Sequence, residues 1–282
     1  MSMPWAIEGI SWVTRNFPGL PGRWRLVRWL ERNEREFATI PPRIVRFTGR
    51  FRMSVDPVDE NGRRYYINGY MPRERLTRHF ERLLRPGDCV LDIGANAGYY
   101  TLAAAKLVGA NGCVHAFEAS PVIFDRLRRN AMLNPHANIH VHYAAVSDKP
   151  GEVSFHTAVA DRTGYSSIRD LGADTASIAT VPALAIDTLL AEIAPVRLVK
   201  IDVEGAELMV LKGMRGLIER DRPYFIAEID DAFLREMGAD AGQQCRFFTD
   251  RGYKLYRIVA RGELEPIAEP PVERCNLLAD PE

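Results

Sequence analysis

From residue 88 onward, short apolar runs alternate with amphipathic stretches. Runs at 89–93, 113–118 and 139–146 read as strands. Between them, apolar positions at helical spacing predict helices over 98–107 and 122–133, the second opened by Ser120-Pro121. Residues 152–157 alternate as a further strand. A polar loop rich in Gly, Ser and Asp follows at 160–177. Next come a helix over 187–193, a strand over 198–203 and a helix over 206–220, and then closing strands at 224–229, 254–259 and 272–278. This rhythm predicts an α/β fold with a Rossmann-like, mostly parallel sheet covered by helices on both faces.

The first 85 residues have a different texture and are predicted to form an extension to a domain spanning 86–282. All four tryptophans (Trp5, Trp12, Trp24, Trp29) lie here, among Arg23, Arg25, Arg28, Arg32 and Arg35. Trp24, Val27, Leu30 and Phe37 follow a helical period that Pro41-Pro42 ends, because proline offers no amide donor. Residues 43–70 read as short strands around turns at 59–62 and 68–69, and a helix over 73–84 stops at Pro86-Gly87.

Composition adds one informative asymmetry. The chain of 282 residues is 46% hydrophobic and 26% charged, with zero formal net charge. Residues 1–86 hold 17 arginines, no lysine and 9 acids, a net +8 that the remainder balances with −8. No apolar run approaches a bilayer span, and no signal-peptide pattern opens the chain. Cys89, Cys113, Cys245 and Cys275 are widely spaced, which argues against a zinc site or a disulfide framework. The expected location is therefore the cytoplasm, with peripheral contact at the inner membrane face left open.

The candidate chemistry begins at the first strand of the α/β region. It ends at Asp92, and the loop Gly94-Ala95-Asn96-Ala97-Gly98 leads into a helix. Glycines allow a ligand close to the backbone, and a helix start offers amides to an anionic group. Glu118 closes the next strand, 24 positions after Gly94, where a carboxylate can accept both ribose hydroxyls of an adenosine cofactor. A dinucleotide loop would read G-x-G-x-x-G. Here Asp92 would repel a pyrophosphate but attract the ammonium group of S-adenosylmethionine.

VLDIGANAGYYTLAAA, HAFEASP at 115–121, AAVSD at 144–148 and especially KIDVEGAELMVLKGM at 200–214 resemble the FkbM family of methyltransferases across roughly 86–230. The resemblance implies a seven-stranded sheet with a terminal antiparallel hairpin, and methyl transfer to oxygen. Asp92, Gly94 and Gly98 would line the methionine end of the cofactor. Glu118 would bind ribose, and Ala145 to Asp148, with Ser147 between them, would flank adenine. Ala95, Asn96, Tyr100 and Thr101 complete the expected cofactor set.

Methyl transfer needs an aligned acceptor oxygen and a base. Asp202, Glu204 and Glu228, at the ends of later strands beside Asp230, are the candidate catalytic carboxylates; mutual repulsion would raise their pKa values. Such a cluster also suits Mg²⁺, but no spacing fixes a coordination geometry and no metal is assigned. Asp187 and Glu207 read as structural, as do the strand histidines His115, His140 and His142. His156, Tyr165 and Ser166 are acceptor-side candidates. The expected acceptor is a small molecule or glycan. An RNA methyltransferase and an inactive interaction protein are the alternatives. The basic arm would pack on the body, form a homodimer or touch a membrane surface. Its confined arginines, without an RNA-binding module, argue against nucleic acid.

Overall fold

The computed structural model describes residues 4–17, 19–48, 50–68, 75–158, 166–259 and 262–282. These divide into two compact units, one from the residues before 69 and one from residue 75 onward.

The first unit begins with α1 (Pro4–Asn16) and α2 (Arg23–Arg32), followed by a 3₁₀ turn and the hairpin β1 (Arg43–Thr48) and β2 (Phe51–Val55). It closes with α3 (Glu60–Asn68). Neither α1 nor α3 is in the predicted set. The Asp59-Glu60-Asn61-Gly62 signal starts a helix rather than a strand turn, because the Asp59 carboxylate accepts the Gly62 amide at 2.9 Å. The predicted helix through Phe37 breaks after Arg32 into 3₁₀ geometry over Glu34–Thr39. Phe37 and Tyr66 are buried edge to face at the centre of this unit.

The second unit opens with α4 (Arg75–Leu83) and then builds the sheet. Its strands are β3 (Cys89–Ile93), β4 (Cys113–Glu118), β5 (Ile139–Tyr143), β6 (Ala145–Val146), β7 (Gly151–Ala158), β8 (Thr175–Leu184), β9 (Val196–Ile201), β10 (Tyr224–Ile229), β11 (Lys254–Ile258), β12 (Leu264–Pro266) and β13 (Cys275–Asp280). The helices are α5 (Tyr99–Val108), α6 (Pro121–Met132), α7 (Glu207–Lys212), α8 (Arg215–Asp221), α9 (Asp231–Glu236) and α10 (Ala241–Thr249). The main sheet runs β12-β11-β13-β10-β9-β3-β4-β5. The five strands from β10 to β5 are parallel, and β13 runs antiparallel between β10 and β11. This is the expected Rossmann-like α/β fold with its terminal hairpin. Eight strands replace the expected seven because the three-residue β12 pairs with the outer edge of β11.

Other departures have local causes. The predicted strand over 139–146 divides: β5 stays in the main sheet, while Ala145-Val146 pairs with Ala183-Leu184 in a separate sheet, order β6-β8-β7. The predicted loop over 160–177 takes in the start of β8, which pairs antiparallel with β7. The helix over 187–193 is a single 3₁₀ turn at Ile186–Leu189. The helix over 206–220 breaks into α7 and α8 at Gly213-Met214. There Gly213 lies so close to the neighbouring chain that a Cβ would stand 2.0 Å from the Ser147 carbonyl oxygen.

Buried Leu91, Ile93, Val199, Ile201, Phe225 and Ile229 carry one sheet face into the core under α7, α8 and α10, at about 1.5–3 kcal/mol for each large side chain. Gly213→Ala should force the backbone of 147–148 outward and cost about 1–3 kcal/mol. A lower urea midpoint with an unchanged denaturant slope would show it.

Candidate functional site

Parallel pairing brings the carboxyl ends of β4, β3, β9 and β10 to one edge of the sheet. Asp92 and Lys200 are register partners on β3 and β9. Asp92 is 1% exposed and Lys200 3%. The Lys200 ammonium lies 3.6 Å from Asp92 and 3.3 Å from Asp202, and donates to the Gly94 carbonyl at 3.1 Å. The Tyr100 ring faces the same ammonium at 5.0 Å. Burial opposes its charge, but Asp202 and Asp92 outweigh that penalty and hold the pKa of Lys200 above the ordinary lysine value. In the sequence Lys200 stands only as part of the KIDVEGAE run, in a strand whose other charged residue is Arg197.

The glycine loop follows. Gly94 takes φ +73°, and a Cβ there would lie 1.8 Å from the Asp202 carbonyl oxygen. Glycine at this turn therefore serves close packing of two loops. Asn96 is left-handed at φ +50°. The loop amides are already engaged: those of Gly94 and Ala95 by the Phe117 carbonyl, Asn96 by Glu118, Ala97 by the Asn96 side chain, and Gly98 by the Ala95 carbonyl. A pyrophosphate would find no unspent backbone amide between 94 and 98.

Glu118 accepts from the Asn96 amide at 2.9 Å and the Ser120 amide at 2.8 Å, one on each oxygen. Burial pushes its pKa up to about 7. It is held by backbone in one orientation, with lone pairs left for hydroxyl donors. Asp92 receives the Thr101 hydroxyl at 2.6 Å, while its other oxygen is buried with no hydrogen bond. Ala95 is buried, Ser147 is buried and donates to the exposed Asp148, and Ala145 sits in β6.

The second loop carries the candidate bases. One carboxylate oxygen each from Asp202, Glu204 and Glu228 lies within 4.8 Å of the other two. Arg274, just before β13, donates to Glu228 at 2.7 Å and to Glu204 at 3.0 Å. Sequence alone gave no signal for Arg274, because its partners depend on β13 entering the sheet beside β10. Burial and the neighbouring Asp202 push Glu204 up to about 7, although Arg274 pulls the other way. Burial, Asp202 and Glu204 push Glu228 up to about 8. Glu204 and Glu228, sharing the Arg274 guanidinium with Asp202 close by, thus retain a proton near neutrality. The oxygens are close enough to share a cation, but Glu204 and Glu228 each already give one to Arg274.

Glu204 is left-handed at φ +55°, a strained state for a side-chain-bearing residue. The loop is pinned by Glu207, whose carboxylate accepts the Val203 and Gly205 amides. The Ser167 hydroxyl bonds the Val203 and Glu204 carbonyls. Asp230 caps α9 through the Ala232 and Phe233 amides. Asp187 accepts the Gly216 and Leu217 amides at the start of α8. His115, His140 and His142 stack on one another in β4 and β5, and burial beside the other two pushes His142 down to about 4. Cys89, Cys113 and His115 meet at the opposite ends of β3 and β4, their donor atoms within 4.8 Å, a cluster that wide sequence spacing concealed. His156 bridges to Ser167, and Ser166 accepts the Ala158 amide. Tyr165 lies outside the described residues.

Residues 92–255 match the methyltransferase FkbM domain. The chain belongs to that family. The 31-O-demethyl-FK506 methyltransferase FkbM of Streptomyces tacrolimicus is 48% identical over 68 residues, 24% of this chain and 25% of that protein. The hexuronic acid methyltransferase AglP of Haloferax volcanii is 31% identical over 132 residues, 47% of this chain and 52% of that one. The matches thus span about a quarter and about half of these relatives. A crystal structure of a methyltransferase FkbM from Methylobacillus flagellatus KT is 15% identical with a TM-score of 0.46, covering 76% of this chain and 52% of that one.

Two outcomes follow. Lys200→Met should leave Asp92 buried without its cation and cost about 3–5 kcal/mol, read as a lower urea midpoint. Glu118, Glu204, Glu207 and Glu228 all have folded pKa values raised above 4.5, to about 7 or 8. Between those values the folded state binds more protons than the unfolded one, so stability should fall as pH rises from about 5 to 8. Chemical unfolding across that window should show the decline, and a rise would refute the assignment.

Proposed function

We propose that this chain is an S-adenosylmethionine-dependent O-methyltransferase acting on a hydroxyl of a small molecule or glycan. The observation that carries the reading is the carboxylate cluster Asp202, Glu204 and Glu228, in which the pKa values of Glu204 and Glu228 are pushed up to about 7 and about 8 beside the loop that follows β3. Family membership supports the methyl donor. A sugar acid in one relative's name and the 31-O position in the other's support an oxygen acceptor.

The residues fit the donor's chemistry. Glu118, fixed by two amides, presents a carboxylate to paired ribose hydroxyls. The loop between 94 and 98, with no free amide, suits a ligand without phosphates. The buried Asp92 oxygen that lacks a hydrogen bond lies 3.6 Å from the Lys200 ammonium, which also donates to the Gly94 carbonyl. S-adenosylmethionine, when bound, supplies a methyl group on an electrophilic sulfonium. Glu228 or Glu204 then takes the acceptor's hydroxyl proton, and Arg274 steadies the carboxylate that remains charged. Asp202, the most exposed of the three, keeps the pair's pKa high by repulsion.

Calorimetry with S-adenosylhomocysteine should show binding that Glu118→Ala weakens at least about tenfold. Absence of binding to the intact chain would overturn the cofactor assignment. With labelled donor and a panel of hydroxylated acceptors, including hexuronic acids, turnover should rise with pH through about 7 to 8. Glu228→Gln should lower kcat by about 10²-fold or more while leaving S-adenosylhomocysteine binding intact.

A further inference from the structure

We infer that the α1–α2 face of the first unit docks on an anionic lipid surface. Ten large apolar side chains are exposed among the described residues, and five of them fall within residues 5–24: Trp5, Trp12, Phe17, Leu20 and Trp24. The tryptophans are 74%, 54% and 55% exposed. Scattered apolar residues need no explanation, but a concentration of large aromatic ones marks an interaction surface.

The helix itself shows which face is unpartnered. Ile7, Ser11 and Thr14 are fully buried and hold α1 against its own unit, where the Thr14 hydroxyl bonds the Ile67 carbonyl. Trp5 and Trp12, two turns apart, lie away from that buried stripe, and the Trp12 ring meets Phe17 edge to face at 5.8 Å. The turn after α1 carries Leu20, and the first turn of α2 carries Trp24.

Charge decides the occupant. The guanidinium groups of Arg28 and Arg25 lie 4.9 Å and 5.4 Å from the centre of the Trp24 ring. Arg25, Arg28, Arg32 and Arg35 are all exposed, within residues 1–68, which hold 12 arginines, no lysine and 7 acids. A second copy would set arginine against arginine. A bilayer surface bearing anionic headgroups satisfies both halves: indole rings favour the boundary between headgroup and acyl chain, and arginines pair with the phosphates. No helix among the described residues is long and apolar enough to cross a membrane, so the contact is made in the plane of the surface.

The four tryptophans all lie between residues 5 and 29, so intrinsic tryptophan emission reports on this segment alone. The full chain should co-sediment with phosphatidylcholine vesicles containing phosphatidylglycerol, with a blue-shifted tryptophan emission. Affinity should drop about tenfold or more with phosphatidylcholine alone or in high salt. The triple variant Trp5→Ser, Trp12→Ser, Trp24→Ser should lose binding while keeping the circular dichroism spectrum and unfolding midpoint of the parent, since all three side chains are exposed. Equal binding to neutral and anionic vesicles, or none to either, would overturn the proposal. So would a parent chain that sediments as a dimer while the triple variant sediments as a monomer, or one that prefers an RNA oligonucleotide to the anionic vesicles.

Discussion

The ammonium of Lys200 sits where three strands end, and the site depends on its charge. It is almost wholly buried, yet three oxygen-bearing groups from β3, the glycine loop and the turn after β9 converge on it. Burying one ion alone is costly, and burying it among two carboxylates and a carbonyl is tolerable only with this geometry. The lysine therefore ties the two loops to each other. The close approach of Gly94 to the Asp202 carbonyl is the steric side of the same constraint.

Around that anchor, acids divide by environment rather than by identity. Asp92 is buried and matched by the lysine and Thr101. Glu207 is turned inward to hold the amides of its own loop, and Asp230 and Asp187 are committed to helix starts. Burial, together with more negative charge around them than Arg274 neutralises, raises the pKa values of Glu204 and Glu228 toward neutrality. The left-handed backbone of Glu204 puts strain at this point of the loop, where Ser167 and Glu207 both pin it.

Much of this was legible in the chain. The mostly apolar runs of β3, β4, β9 and β10 are short and bounded by turns, so period and length located them. Their carboxyl ends carried Asp92, Glu118, Asp202 and Glu228, residue types that stand out against apolar neighbours. The failures came where pairing overrides pattern. The first residues of β8 fall in the polar loop read over 160–177, and β6 leaves the main sheet although its residues continue directly from β5. Helix α3 begins at residues whose turn signal is equally a cap.

Sequence by itself determined the alternation that specifies a parallel sheet, the glycine loop and the acid that ends the next strand, and the concentration of tryptophan and arginine near one end. These are local properties, set by side-chain period, glycine and charge. Tertiary structure alone decided which distant residues share a charge. Lys200 meets Asp92 because β9 lies beside β3 in one register. Arg274 meets Glu204 and Glu228 because β13 inserts antiparallel next to β10. Electrostatic partnership depends on distance in space, and the order of strands in a sheet, which sets that distance, is written in no single stretch of the chain.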